Sequence, residues 1–191
     1  MEDQSELPVM VEAARQRAGE AGFTFSSETE VGTLLGALAQ AVPSGGRILE
    51  LGTGVGYGLA WLVHGLGDRR DVTVVTVESD EARQRRTMAE SWPDFVRFEL
   101  GDGAVVVRTL GTFDLIFADA PGGKTTGLDD TVSALRPGGI LVVDDMDLSR
   151  HDDPDLRRQL AEVRRRLHAD TRLVVAELAY SSGVILAVRA H

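Results

Sequence analysis

RILELGTGVGYG, residues 47–58, joins a short apolar strand to a helix through a loop that contains three glycines. Glycine lets the backbone turn sharply and approach a ligand closely, and the helix that follows points its free N–H groups at the same space. Glu50 stands two residues before the first glycine, where an acid is unfavourable for a pyrophosphate and suits a cationic ligand. The stretch therefore predicts a strand, a ligand-binding turn and a helix.

On the C-terminal side of this stretch, apolar strands alternate with helical segments. The β-branched and apolar runs predict strands at 47–51, 71–77, 95–100, 113–118, 140–143, 172–178 and 184–189, the last two as a hairpin. Residues 104–110 have strand propensity, but the alternation requires a helix there, and we give topology precedence. The pattern predicts an α/β fold, a Rossmann-like doubly wound sheet that binds its ligand at the carboxyl ends of the strands.

On the N-terminal side, residues 1–26 are predicted to be a helical segment and a candidate substrate cap, with a helix over 8–19. Residues 27–191 then form the main domain. Ser27 and Glu30 fit a capping box at the start of the next helix. The beginning, Met1–Gln4, is acidic and has no apolar run behind it, so we do not expect a signal peptide.

Composition narrows the function. The chain has 191 residues and a formal net charge of −10, which argues against broad binding to nucleic acid. No apolar run approaches the ~20 residues of a membrane helix, and the absence of cysteine excludes disulfides and thiolate metal sites. We expect a cytoplasmic protein with a small-molecule partner. The chain has a single lysine, Lys124, and no asparagine.

Acidic residues follow the second and third predicted strands. Glu78 ends the second strand and could accept both hydroxyls of a ribose, with Ser79 beside it. The alternative for Glu78 is an exposed acid at a helix start. Asp102, between Gly101 and Gly103, could accept from an adenine amino group or cap the next helix.

Three more carboxylates follow the fourth and fifth strands. Asp119 ends the fourth strand, and Asp144 and Asp145 end the fifth. Together they could hold a hard divalent cation such as Mg²⁺ through oxygen ligands. The alternative is that one of them orients a cofactor and the others are solvated.

Five motifs make the chain similar to a known family. They are RILELGTGVGYGLAWL for the glycine loop, VTVVTVESD for the ribose acid, FDLIFADA for the fourth strand, LRPGGILVVDDM for the fifth, and the closing hairpin. From about residue 27 onwards the chain resembles the class I S-adenosylmethionine-dependent methyltransferases, and among them the small catechol and caffeoyl-CoA type O-methyltransferases. The resemblance implies seven strands, mostly parallel, with an antiparallel C-terminal strand.

The resemblance also implies roles for individual residues. The acid that ends the fourth strand and an Asp-Asn pair that ends the fifth hold the cation in metal-dependent members, and Asp145 replaces that asparagine. The residues implied to surround the methionine part of the cofactor are Glu50, Gly52, Thr53, Gly54 and Gly56. Those implied for the ribose and adenine are Glu78, Ser79, Gly101, Asp102 and Gly103, and those implied for the metal are Asp119, Asp144 and Asp145.

Two basic residues are candidates for the chemistry. The family often has a lysine three residues after the fourth-strand acid, whereas Lys124 comes five residues after Asp119. If desolvated, Lys124 could act as a base or hold an oxyanion; the alternative is a solvated lysine in a flexible loop. His151 is a second candidate base, although a lone loop histidine is usually a surface residue.

These observations favour O-methylation of a small hydroxylated molecule, aromatic or catechol-like, with Lys124 and Asp119 as catalytic residues. Three alternatives stay open: a small-molecule N-methyltransferase, a catalytically weak cofactor-binding partner subunit, and a nucleotide-dependent oxidoreductase. Because dimers are common in the family, we expect a homodimer.

Overall fold

A seven-stranded sheet forms the centre of the computed structural model, which describes residues 7–24 and 26–191. The strand order is β3-β2-β1-β4-β5-β7-β6, with β1 to β5 parallel and β7 antiparallel to both of its neighbours. This confirms the predicted α/β, Rossmann-like sheet with an antiparallel C-terminal strand. The strands are β1 Arg47–Leu51, β2 Thr73–Glu78, β3 Val96–Leu100, β4 Phe113–Ala118, β5 Leu135–Val143, β6 Leu173–Leu178 and β7 Val184–Arg189.

Helices connect the strands and cover both faces of the sheet. They are α1 Val9–Ala21, α2 Thr29–Ala41, α3 Tyr57–Leu66, α4 Glu81–Met88, α5 Gly103–Val106, α6 Pro121–Lys124, α7 Leu128–Ser133 and α8 Pro154–Ala169. Two short 3₁₀ turns complete the elements: Val107–Thr109 after α5, and Leu148–Arg150 between β5 and α8. The helix predicted over 104–110 is confirmed as α5 and the turn after it, so the connectivity of the sheet prevails there over the propensity of three consecutive valines.

The core has two halves because a mostly parallel sheet must be covered on both faces. Leu35 of α2 and Leu62 of α3 pack with Ile48 and Phe117 on one face. Leu160 and Val163 of α8 belong to the cluster on the other face, which also contains Leu49 and Ile116. Consecutive residues of β1 and β4 thus enter opposite halves, and both strands are almost completely buried.

Two local predictions differ from the structure. The capping box is wrong: Glu28 occupies the N-cap of α2 without a side-chain cap bond, and Ser27 lies further from the helix. The last strand before the hairpin is longer than predicted, because β5 begins at Leu135 and includes the Pro137-Gly138-Gly139 segment expected to precede it. The register of β4 and β5 shifts between Phe113 and Leu115, which accommodates that irregular beginning.

The described part of the N-terminal segment packs on the main body. Val11 and Ala14 of α1 are buried with Ala60 and Trp61 of α3. Arg17 donates from Nε and Nη2 to the Val55 carbonyl of the glycine loop, at 3.1 and 3.0 Å. Helix α1 therefore supports the loop from outside. A separate domain over 1–26 stays a prediction, and its residues 1–6 and 25, with the Met1–Gln4 start, lie outside the described residues.

No helix in the described ranges is long and apolar enough to cross a membrane.

Candidate active site

A cavity of about 650 Å³ opens at the carboxyl ends of the parallel strands. Its lining comes from the loops after β1, β2, β3, β4 and β5, from the segment before α2, and from one side of α8. The order of the sheet reverses direction between β1 and β4, so the neighbouring strand ends leave a crevice there. The structure thus brings most of the residues selected from the sequence to a single place.

The glycine loop forms one wall of this cavity. The amides of Gly52 and Thr53 donate to the Val77 carbonyl at 2.9 and 3.0 Å, which folds the loop against the end of β2. Gly52 has a φ of +109°, and a Cβ there would lie 2.9 Å from the Ala120 Cβ. A side chain at this position would therefore be strained and would also collide with the loop after β4.

Gly56 differs from the other predicted loop residues. It is the N-cap of α3 with a φ of +81°, and a Cβ there would meet Thr87 and Trp92. Its conformation shapes the turn, but it packs on the α4 side of the loop. Gly54 and Thr53 do line the cavity, as the sequence predicts.

Glu50 is a buried acid, 1% exposed, at the base of the cavity. Thr76 Oγ1 donates to Glu50 Oε2 at 2.5 Å and lies 2.6 Å from Thr53 Oγ1. Burial raises the pKa of Glu50 to about 8, and the nearby acids Asp119 and Glu78 add to this rise. A buried carboxyl without a cationic partner in the described chain is suited to a cationic ligand.

Glu78 is 4% exposed and lines the same cavity, so the alternative of an exposed helix-start acid is wrong. Its Oε2 accepts from the Gly54 amide at 2.9 Å, and its Oε1 accepts from the Asp80 amide at 2.9 Å and Arg83 Nη1 at 3.1 Å. Asp80 is the N-cap of α4 instead. These bonds fix the carboxylate, and Oε2, which has one donor, keeps capacity to accept a further hydrogen bond.

The loop after β3 continues the cavity wall through Gly101, Asp102 and Gly103, and Ser79 lines it beside Glu78. Asp102 Oδ1 accepts from the Ala104 amide at 2.9 Å, so Asp102 does cap α5. Because Asp102 is exposed and also lines the cavity, the cap and a role towards a ligand are compatible.

The three acids at the ends of β4 and β5 have different surroundings. Asp119 lines the cavity and accepts from Ser27 Oγ at 3.0 Å through Oδ2. Asp144 is 1% exposed, and its Oδ1 accepts from Ser182 Oγ and from the Asp145 amide, the latter at 2.7 Å. Burial raises the pKa of Asp119 well above its usual value and raises that of Asp144. Asp145 has a left-handed backbone, with a φ of +61°.

Lys124 lies among these acids. It is 6% exposed, so the alternative of a solvated loop lysine is wrong. Its Nζ donates to the Asp144 carbonyl at 3.2 Å and lies 3.7 Å from Asp145 Oδ2. The same ammonium acts electrostatically on Asp119, where it opposes the rise of the pKa.

These residues do not fit a divalent cation in the way that the sequence predicts. Mg²⁺ requires near-octahedral oxygen ligands, yet among the described residues no three acidic or histidine side chains are grouped as a metal site. Asp144 turns one oxygen towards Ser182 and the Asp145 amide, and the Lys124 ammonium is the cation that faces these acids. With Lys124 in place, the described residues therefore do not form the predicted metal site at Asp119, Asp144 and Asp145.

His151 lines the cavity near Asp145. Its Nε2 lies 2.8 Å from the Asp145 carbonyl oxygen. Because a carbonyl only accepts, Nε2 carries hydrogen in this arrangement, and only Nδ1 of a neutral ring could act as a base.

Two serines hold the strand-end acids in a way that the sequence did not predict. Ser27, expected as a helix cap, lines the cavity and donates to Asp119, and Ser182, in the turn between β6 and β7, donates to Asp144. No local sequence pattern marks either serine for this role. The amphipathic pattern of α8 did place Leu156 and Leu160 on one face. That face both packs on the core and lines the cavity, together with Gln159.

Comparison with known proteins agrees with this geometry. The family described as "Methyltransferase domain" matches residues 49–146. A protein of Mycobacterium ulcerans named as an O-methyltransferase is 33% identical over 192 residues, which cover 94% of this chain and 84% of that protein.

Solved structures show the same fold. A crystal structure of a Corynebacterium glutamicum protein superposes with a TM-score of 0.83 and 23% identity, covering 98% of this chain and 93% of that one. The O-methyltransferase TomG from Streptomyces achromogenes, solved in complex with S-adenosylmethionine, gives a TM-score of 0.81 and 23% identity, covering 97% and 92%. This chain belongs to the class I S-adenosylmethionine-dependent O-methyltransferases.

Proposed function

We propose that this enzyme transfers the methyl group of S-adenosylmethionine to a hydroxyl oxygen of a small aromatic molecule. The observation that carries the proposal is that one cavity joins two chemically different ends. Glu50 of β1 and Glu78 of β2 line one end, and Lys124, from the turn after β4, lines the other together with Leu156 and Leu160 of α8. The first end suits the cofactor, and the second suits an acceptor with an apolar body and an acidic hydroxyl.

The cofactor end fits S-adenosylmethionine. Glu50, buried without a cationic partner among the described residues, is the partner for the cationic amino group, and Glu78 is held so that it accepts from the ribose hydroxyls. The backbone at Gly52 comes so close to Ala120 that a side chain would not fit, and the bare backbone of this wall allows the cofactor to approach closely. Ser79 and residues 101–103 extend the wall towards the adenine.

S-adenosylmethionine, when bound, supplies a methyl group on a cationic sulfur, and an oxygen nucleophile takes the methyl carbon while the electron pair of the broken bond stays on sulfur. The protein's share is mainly alignment of the two reactants. Asp119, fixed by Ser27, orients the reactants between the two ends. Lys124 stabilises the negative charge that develops on the acceptor oxygen. The hydroxyl proton leaves to solvent past Asp145, whose side chain is 47% exposed.

The acceptor end has an apolar wall with polar groups at its edge. Leu156 and Leu160 present methyl groups, and Gln159, Thr125 and Thr126 surround them. A flat aromatic ring fits beside two leucines, and its hydroxyl can then point towards Lys124. Ser26 and Phe23 line the cavity from the N-terminal side, in keeping with a substrate-capping role for this segment.

The test is a methyl-transfer screen with labelled S-adenosylmethionine on matched pairs of aromatic acceptors. Each pair has the same ring and carries either a hydroxyl or an amino group. We expect transfer to the hydroxyl member of at least one pair and calorimetric binding of S-adenosylhomocysteine, with NAD as a non-binding control. Transfer to amines alone would contradict the proposal, and so would transfer to no aromatic hydroxyl.

A further inference from the structure

The proposed function gives Lys124 a role but does not explain why its buried ammonium lies among three strand-end acids. The fold brings Asp119, Asp144 and Asp145 to neighbouring strands, as a cation site would require. Lys124 Nζ lies 3.2 Å from the Asp144 carbonyl and 3.7 Å from Asp145 Oδ2, and it acts electrostatically on Asp119. Lys124 is also the only lysine of the chain.

The backbone holds Lys124 in this place. The amide of Gly123 donates to the Thr126 carbonyl at 2.6 Å, and Thr131 Oγ1 donates to the Gly123 carbonyl at 2.9 Å. Gly123 has a φ of +98° and packs directly against the side chain of Leu51. A loop closed by these contacts fixes the position of the lysine backbone, and the surrounding residues leave Lys124 only 6% exposed.

The contacts of Asp144 show how an ammonium takes the place of a metal ion among these acids. Asp144 presents its backbone carbonyl to Lys124, while its Oδ1 is occupied by Ser182 and by the Asp145 amide. Its Oδ2 is buried without a hydrogen-bond partner in the described chain. A divalent ion inserted here would lie close to the positive charge of Lys124, and the repulsion would weaken its binding.

We propose that the Lys124 ammonium takes the place of the divalent cation, so that this enzyme needs no metal and accepts molecules with a single hydroxyl. The proposal rests on the proposed function for its substrate class. An ammonium has three N–H donors; one donates to the Asp144 carbonyl, one points towards Asp145, and one is left for the acceptor oxygen. A metal ion can bind two adjacent oxygens of a catechol at once, whereas one remaining donor binds one oxygen.

The first experiment measures Mn²⁺ binding to the whole protein by electron paramagnetic resonance, without cofactor or acceptor. We expect no saturable binding to the wild type and one site in Lys124→Ala, at least about tenfold tighter than any wild-type binding. Thr125→Ala is the matched control, since Thr125 lies in the same loop and leaves the ammonium in place; it should behave as the wild type. Thermal melts and S-adenosylhomocysteine binding verify that each variant is folded.

Two results would overturn the proposal. If the wild type binds Mn²⁺ as tightly as Lys124→Ala, the lysine does not exclude the ion. If neither binds Mn²⁺, the acids are not a cation site that Lys124 has taken over. Since this measurement involves no methyl transfer, a failure of the proposed function would leave it unchanged.

The second experiment compares matched phenol and catechol acceptors after exhaustive treatment with a chelator. We expect the wild type to keep its activity, with kcat/KM values for the two acceptors within about threefold of each other. Loss of activity that Mg²⁺ restores would contradict the proposal, as would a preference of more than about tenfold for the catechol, the mark of chelation by a metal.

Discussion

At the scale of the residue, the two cofactor-facing acids differ in their partners. Glu50 has hydroxyl and backbone partners, which lower its pKa less than burial raises it, so that the pKa is about 8. Glu78 is held by Arg83 and by the amides of Gly54 and Asp80. Two carboxyls at neighbouring strand ends are thus prepared for different partners: Glu50 for a cation, and Glu78 for neutral hydroxyl donors.

Replacing Glu78 by glutamine tests its role towards the ribose. The amide removes an acceptor oxygen and puts a donor in its place, so we expect S-adenosylhomocysteine affinity to fall by about tenfold to a hundredfold. Isothermal titration calorimetry measures this. Glu81→Gln is the matched control, because Glu81 lies three residues further on, at the start of α4, but is exposed and bonded to Arg85. Equal affinity of the two variants would remove Glu78 from the cofactor site.

The sequence could predict these acids because each one ends an apolar strand, and the ends of parallel strands meet at one edge of a sheet. The partners of the acids could not be predicted in this way. Ser27 reaches Asp119 across 92 residues, and Ser182 reaches Asp144 across 38. Such contacts depend on how loops fold over the sheet edge, and a serine there looks like any turn residue. For the same reason the predicted metal site did not anticipate the position of Lys124.

At the scale of the element, the short irregular turn α6 determines where Lys124 lies. Gly122 and Gly123 depart from helical dihedral angles within it, and the amides of Thr125 and Thr126 donate to the Pro121 carbonyl at 3.0 Å. The spacing of five residues from Asp119 to Lys124 is thus taken up by a closed turn. The spacing in the sequence suggested that the lysine is displaced from the site. The turn instead places Lys124 in the cavity, next to the Asp144 carbonyl.

Gly123→Ala should be among the more damaging small substitutions in this element. The alanine would have to adopt a φ of +98°, and its methyl group would collide with the fully buried Leu51. We expect the free energy of unfolding in urea to fall by about 2–4 kcal/mol. Gly45→Ala is the control for strain alone, with a φ of +71° and no atom within 4 Å of its Cβ; it should cost about 1 kcal/mol. Equal costs would show that Leu51 yields to the methyl group.

At the scale of the whole molecule, the fold concentrates acids at one edge of the sheet. The net charge is −10, and Glu50, Asp119 and Asp144 all have pKa values raised by burial. A carboxyl with a raised pKa holds its proton more tightly in the folded state than in the unfolded one. Folding is then favoured at low pH, and the advantage is lost as the pH rises towards the pKa of the folded state. The unliganded enzyme thus gives up stability near neutral pH to form its site.

Glu50→Gln isolates the contribution of Glu50 to the pH dependence of folding stability. Between pH 4.5, the ordinary pKa of the free carboxyl, and about 8, the wild type should lose stability relative to the variant by up to about 1.4 kcal/mol per pH unit. Glutamine mimics the protonated acid and has no proton to lose, while Asp119 and Asp144 contribute similarly to both proteins. Urea unfolding at pH 5, 6, 7 and 8 measures the difference.

Parallel stability curves for the two proteins would mean that the pKa of Glu50 is not raised. Saturating S-adenosylhomocysteine, which retains the amino group of the cofactor, should flatten the wild-type curve. The ligand's positive charge stabilises the ionised Glu50 and lowers its pKa in the complex. Binding should therefore release a proton near pH 7 in the wild type and none from position 50 in Glu50→Gln. Calorimetry in buffers of different ionisation enthalpy detects this release and connects the pH dependence of folding to the site itself.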